Sequence, residues 1–193
     1  MKIIQASKIR NQKWNYFQEK KILKNPLVLV FGNRFLLENE ETITDIRDEF
    51  PYEHIVFGST AGEILFCSVY DDSISVTVIE FERSSFVVKR ENILDHHKNS
   101  DMVGELLFDQ IPKEDLKHLF VLSEGSFVNG SSLLNSLENK VDSAVSITGG
   151  MCGDEALFEK TISSYKENPK EGEVILIGFY GETLEITFGS FGG

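Results

Sequence analysis

Three acids and a cysteine sit where chemistry would be possible, each just beyond a short apolar run. Cys152 and Asp154 close the stretch Ala144-Val145-Ser146-Ile147-Thr148-Gly149-Gly150-Met151-Cys152-Gly153-Asp154. Glu63 closes His54-Ile55-Val56-Phe57-Gly58-Ser59-Thr60-Ala61-Gly62-Glu63, and Glu124 follows Leu119-Phe120-Val121-Leu122-Ser123. A thiol among glycines can have its pKa lowered by backbone N–H groups, which would also stabilise an oxyanion. It also needs a base within hydrogen-bond reach, and no histidine lies near Cys152 in the sequence. Free cysteine is among the most buried residue types, so packing is the simpler role. The acids can fix the ammonium of a small ligand or share a proton as an acid–base pair. Alternatively they accept turn N–H bonds, as acids in Gly-rich turns do. Both readings stand for Asp154; for Glu63 the structural one is preferred.

Other templates are missing. There is no Gly-x-x-x-x-Gly-Lys-Ser/Thr phosphate loop, no Gly-x-Gly-x-x-Gly dinucleotide turn and no Gly-x-Ser-x-Gly elbow. His96 and His97 are adjacent, so on a helix they diverge by about 100° and cannot share a metal. His54 and His118 stand at the starts of strands, where a lone histidine is structural rather than a ligand. Cys67 and Cys152 lack metal spacing and cannot build a disulfide framework, which suits a reducing cytoplasm. The sequence implies no metal and no cofactor.

The elements that must hold these residues alternate between strand and helix. Leu27-Val28-Leu29-Val30-Phe31 reads as a buried strand, followed by a helix capped by Asn39 with Ile43, Ile46 and Phe50 on one face. Pro51 ends it, and the first glycine corner completes a β-α-β unit. Residues 73–82 alternate small polar with apolar side chains, with residues 85–93 as a hairpin partner. A helix over 99–111 turns Val103, Leu106, Leu107 and Ile111 inward, and Asn129 caps another carrying Leu133, Leu134, Leu137 and Val141. The last third reads as antiparallel strands over 160–166, 174–180 and 184–188, the final two joined at Gly181-Glu182-Thr183. The expected fold is α/β (α+β): mixed sheets flanked by helices, with an antiparallel C-terminal region. Strand order is not legible.

Length and charge set outer limits. With 193 residues, 41% hydrophobic and 26% charged, the chain fits one soluble domain. No apolar run approaches the ~18–20 residues of a membrane helix, and Met1-Lys2-Ile3-Ile4 is no secretion signal. A net charge of −12 argues against nucleic acid. Residues 1–24 nevertheless hold seven basic side chains and one acid, a net of +6, which leaves −18 for the remainder. Residues 1–26 therefore read as a basic, partly helical segment that packs on the acidic body with Trp14 and Phe17 inward, or else meets an acidic surface. The domain proper is 27–193, and the abrupt end at Gly189-Ser190-Phe191-Gly192-Gly193 reads either as a short frayed terminus or as a boundary beyond which a further domain follows.

Three motifs carry a family likeness. Phe57-Gly58-Ser59-Thr60-Ala61-Gly62-Glu63, then Leu122-Ser123-Glu124-Gly125 with Asn129-Gly130, then Gly149-Gly150-Met151-Cys152-Gly153-Asp154, resemble in order and spacing the signatures of the FIST N-terminal domain. This is the "F-box and intracellular signal transduction" sensory family. The resemblance spans about 27–193; Cys152 replaces a small residue and Glu124 an aspartate. It implies a cytoplasmic sensory domain of bacterial signalling proteins that binds a small metabolite, an amino acid being suspected. It also implies a C-terminal FIST domain and a downstream signalling module as partners. The ligand-side positions it implies are Gly58, Ser59, Thr60, Glu63, Ser123, Asn129, Gly149, Gly150 and Asp154. Backbone N–H groups at strand ends would hold a carboxylate, and Asp154 an amine. Two rival readings remain: an enzyme acting on an amide-like substrate through Cys152 or Asp154 and Glu63, and an interaction module with an acidic face.

Overall fold

The computed structural model describes residues 1–65, 68–187 and 189. Strands β1 (Lys2–Ile9) and β2 (Asn15–Tyr16) come first, then β3 (Leu27–Asn33), the single turn α1 (Arg34–Leu37) and α2 (Glu40–Glu49). β4 (His54–Thr60) runs parallel to β3, as a β-α-β unit requires. A small hairpin of β5 (Glu63–Leu65) and β6 (Ser68–Tyr70) leads to β7 (Ser73–Glu80) and β8 (Ser85–Asn92). A 3-10 turn (Ile93–His96), α3 (Ser100–Gln110), β9 (Leu116–Ser123), α4 (Gly130–Glu138) and β10 (Ser146–Met151) follow. The last elements are β11 (Ser163–Tyr165) and β12 (Glu173–Tyr180).

The strands form a six-stranded sheet, β11-β4-β3-β7-β1-β2, and a four-stranded one, β10-β9-β12-β8. The period-two alternation of a strand sends neighbouring side chains to opposite faces, and here both faces are apolar. Leu27 and Val56 meet Val88, Leu122, Ile175 and Ile177 of the other sheet in one core. Val28, Val30, Ile55 and Phe57 face the other way, onto Leu37, Ile43 and Ile46 of the first helical layer. Leu119, Val121, Val174 and Leu176 likewise pack on Val103, Leu107, Leu133 and Leu137 of α3 and α4. The molecule is thus α/β, with two stacked mixed sheets between two helical layers. Asn39, Asn99 and Asn129 each cap a helix, their side chains accepting from the N–H of Thr42, Met102 and Ser132.

Four expectations are corrected. The basic segment is not helical: β1 and β2 extend the six-stranded sheet, with Ile4 and Ala6 in the core. Its cations pair with acids of the body, Lys8 with Asp45 at 2.7 Å, Arg10 with Asp72 at 2.6 Å and Lys20 with Glu49 at 2.5 Å. Trp14 packs edge-on against Phe50, with 5.1 Å between ring centroids. Second, β7 and β8 are not a hairpin. β7 lies between β1 and β3, while β8 crosses to the other sheet and pairs with β12. Third, only residues 163–165 of the expected strand 160–166 are paired. Fourth, residues 184–187 form no strand, and β12 finds its partners in β8 and β9. Cys67, Phe188 and residues 190–193 lie outside the described residues. No helix among the described residues is long and apolar enough to cross a membrane.

Candidate functional site

The C-terminal ends of β4, β9 and β10 converge on one junction between the sheets. The Gly153 N–H donates to the Ser59 carbonyl at 2.9 Å, and the Cys152 N–H to the Ser123 carbonyl at 2.7 Å. The Ser59 N–H and side chain clasp Ile162 in turn, donating to its carbonyl at 2.9 Å and accepting from its N–H at 3.0 Å. Glu124 is wholly buried, and its carboxylate accepts from the Phe127 N–H and the Thr161 hydroxyl, both at 2.7 Å, and from the Ser126 N–H. Among the described residues, no buried side-chain N or O atom of this junction is without a hydrogen-bond partner, as burial demands.

Two expected ligand groups are committed to the fold as well. Asp154 is 5% exposed and caps its own loop, accepting from the N–H groups of Phe158, Glu159 and Lys160 at 3.1, 2.8 and 3.0 Å. Burial would raise its pKa, but these three bonds and the field of Arg34 hold it below the ordinary value. Glu63, 3% exposed, accepts from the hydroxyls of Thr60, at 2.5 Å, and Ser73. Burial wins there and raises its pKa. Thr60 is therefore occupied by Glu63, and Gly58 is buried with Leu122 and Cys152 against its Cα.

Cys152 does not have the surroundings of a nucleophile. It is buried within the core between the sheets, and burial pushes its thiol pKa up to about 12. Among the described residues no histidine bonds it, and His118 is committed within the fold: its ring nitrogens bond Ser146 Oγ at 2.7 Å and Thr148 Oγ1 at 2.8 Å. Those bonds tie β9 to β10, and burial lowers the His118 pKa.

The remaining candidates come together at an open place. Beside the junction, between β10 and α4, runs a groove of about 310 Å³. Ser123, Gly149 and Gly150 line it, together with Val121, Gly130, Leu133, Leu134, Ile147, Thr148 and Met151. Asn129 does not line it; this residue caps α4 next to the lining Gly130, and its N–H donates to Ser100 Oγ at 2.9 Å. Gly149 and Gly150 are exposed at the edge of the sheet. Leu134, expected on the inner stripe of its helix, is instead 42% exposed and Met151 47%. These apolar walls went unnoticed in the motifs; the neighbouring Leu133-Leu134 pair, too wide for one inward stripe, was the available signal.

A larger cleft, about 460 Å³, lies between the β1–β2 loop and α2, lined by Lys8, Arg10, Gln12, Glu41 and Asp45 among others. Its cations are already paired, Lys8 to Asp45 and Arg10 to Asp72. It contains none of the glycine-corner residues.

The family model described as the FIST N domain matches residues 26–193 of the chain. A comparison with curated proteins finds no match.

Proposed function

This chain belongs to the FIST N domain family of signal-transduction sensory domains, and we propose that it senses an amino acid or a related small metabolite in the groove between β10 and α4. The observation that carries this reading is the union of two kinds of surface in one cavity. Leu133, Leu134, Ile147 and Met151 offer an apolar wall for a side chain. Beside them lie the exposed backbone of Gly149 and Gly150 and the first turn of α4. A carboxylate would sit at the α4 N-terminus, where unpaired N–H groups and the helix dipole favour negative charge. An ammonium would then take its bonds from carbonyl oxygens of β10, since Asp154 and Glu63 are engaged within the fold. In this reading the domain works in the cytoplasm and passes its signal to a C-terminal FIST domain and a signalling module.

A thermal-shift panel of amino acids and related carboxylates tests it. A ligand present at about 100 times its Kd should stabilise the fold by about 2.7 kcal/mol and raise Tm accordingly. Leu134→Glu, on the exposed wall, should abolish that shift while leaving the ligand-free Tm within about 1–2 °C. A panel without any shift, or a shift indifferent to Leu134→Glu, rules the groove out.

A further inference from the structure

The hairpin of β5 and β6 is inside out. Residues directly opposed on antiparallel strands share a face, and neighbours along one strand point to opposite faces. Glu63, the acid, is buried, with its carboxylate on the hydroxyls of Thr60 and Ser73. Ile64 and Val69, paired across the strands, therefore take the outer face, 75% and 68% exposed. Among the described residues the two strands pair only with each other. A two-stranded hairpin needs further strands or a helix packed on its apolar side to be stable by itself. Here the apolar side is the uncovered one.

The loop after β10 makes a similar display beside the root of this hairpin. A Cβ at Gly153 would stand 3.1 Å from the Ala61 nitrogen, so the two segments start side by side. Asp154 then closes the loop on the N–H groups of Phe158, Glu159 and Lys160, and Phe158 is left 90% exposed at a φ of +54°. A bulky residue at positive φ is uncommon and costs of order 1–3 kcal/mol, and no burial of its ring offsets that strain. Leu157 and Phe35 are exposed too. The Arg34 guanidinium lies over the Phe35 ring and bonds Glu159, which ties α1 to the loop. Five large apolar side chains thus surround the C-terminal ends of β3 and β4.

The charges between them leave an acidic remainder. Arg10 pairs with Asp72, Arg34 with Glu38 and Glu159, and Lys160 with Glu38. Asp71 and Glu155 have no ion pair among the described residues, and Glu155 accepts from the neutral amide of Asn33. We propose that this end docks a protein partner whose surface presents apolar side chains bordered by lysine or arginine. Phe158 and the Ile64–Val69 pair are the anchors, and Asp71 and Glu155 receive the partner's cations. A loop already fixed in its displayed form loses little freedom on binding. A net charge of −12 sets a second copy, a nucleic acid and an anionic lipid surface against this end alike. The docking surface does not depend on what fills the groove between β10 and α4.

Fluorescence anisotropy of labelled synthetic peptides titrated with the whole chain tests this assignment. Three amphipathic helical peptides share one leucine stripe and carry lysine, glutamine or glutamate on the polar face. The lysine peptide should bind best, the glutamine peptide more weakly and the glutamate peptide not at all. Any chain of net charge −12 attracts lysines, so variants decide the matter. Ile64→Ser and Phe158→Ser should each weaken lysine-peptide binding about tenfold or more. Ile22→Ser, at a side chain just as exposed on the N-terminal segment, should change nothing. All three positions are on the surface, so the fold is kept, which circular dichroism verifies. Asp71→Asn combined with Glu155→Gln should cost about threefold and reduce the salt dependence. Three peptides that all fail to bind, or all bind alike, overturn the proposal. So does a lysine peptide whose affinity is indifferent to Ile64→Ser and Phe158→Ser.

Discussion

In the first glycine corner residues 57–59 are buried, whereas in the second residues 149–151 are exposed. The two share a sequence signature, an apolar run ending in glycines and an acid, yet their glycines answer different demands. A Cβ at Gly58 would stand 2.9 Å from Leu122 Cδ2, so that glycine lets the second sheet approach the first. A Cβ at Gly149 would fall 1.9 Å from the Val121 carbonyl oxygen, and its φ of +151° is one that L-residues rarely adopt. Gly149 serves the close approach of β10 to β9. Gly150 meets nothing within 4 Å. Among these corner glycines it is the one whose smallness no neighbour in the fold requires, and it lines the groove. A glycine-rich signature thus mixes residues that assemble the core with residues that keep a surface open.

Alanine substitutions break this comparison most sharply. Gly149→Ala meets rigid backbone and should destabilise the fold by about 3 kcal/mol, the upper end of overpacking costs. Gly58→Ala meets the end of a leucine side chain that can shift, so about 1 kcal/mol is expected. Gly150→Ala should stay within about 0.5 kcal/mol. Urea midpoints of the three variants supply the ranking, and equal losses at 149 and 150 would dissolve the distinction between the two roles.

How much of this was legible depends on which physical signal each region carries. The apolar runs of β3, β4 and β9 and the asparagine caps of α2, α3 and α4 declare themselves, because burial on both faces and capping are local demands. The N-terminal segment misleads: Ile4 and Ala6 alternate with the polar Gln5 and Ser7 at a strand's period, but the density of lysines suggests a basic helix. The false hairpin of β7 and β8 has another cause, since the short link at residues 81–84 looks like a turn yet carries the chain from one sheet to the other. Asp154 marks the deeper limit. An acid that closes a turn and an acid that holds a ligand have the same sequence context, and only the three N–H groups aimed at its carboxylate separate them.

The acids that end the two corners differ in the sign of their response to pH. Asp154 has a folded pKa below the ordinary 3.8, so its stabilisation is present above that value and is lost as pH falls through the lower folded one. Asp154→Ala should destabilise the protein by about 2–3 kcal/mol at neutral pH, given hydrogen bonds to a charged acceptor. Asp154→Asn should flatten the acid limb of the stability curve. Glu63 is the reverse: burial raises its pKa above 4.5, so its stabilisation is present below that value and lost as pH rises through the folded one. Glu63→Gln should therefore be at least as stable as the wild type at neutral pH, with the advantage vanishing toward 4.5. Parallel pH profiles for the two variants would remove this contrast.

The smallest expected effect concerns the thiol between them. Cys152 belongs to the second corner in sequence, but its side chain packs with the first, its sulfur 3.4 Å from where a Gly58 Cβ would lie. With a pKa of about 12, roughly one thiol in 10⁵ is ionised at neutral pH. A thiol-reactive probe followed by peptide mass analysis should label Cys152 about 1,000-fold more slowly in the folded chain than in the unfolded one. Cys152→Ala should weaken the fold by only about 1 kcal/mol and leave ligand shifts alone. Fast labelling of the folded chain, with loss of a ligand response in Cys152→Ala, would move the chemistry from the open groove into the buried junction. The enzyme reading would then have to be taken up again with this thiol as its nucleophile.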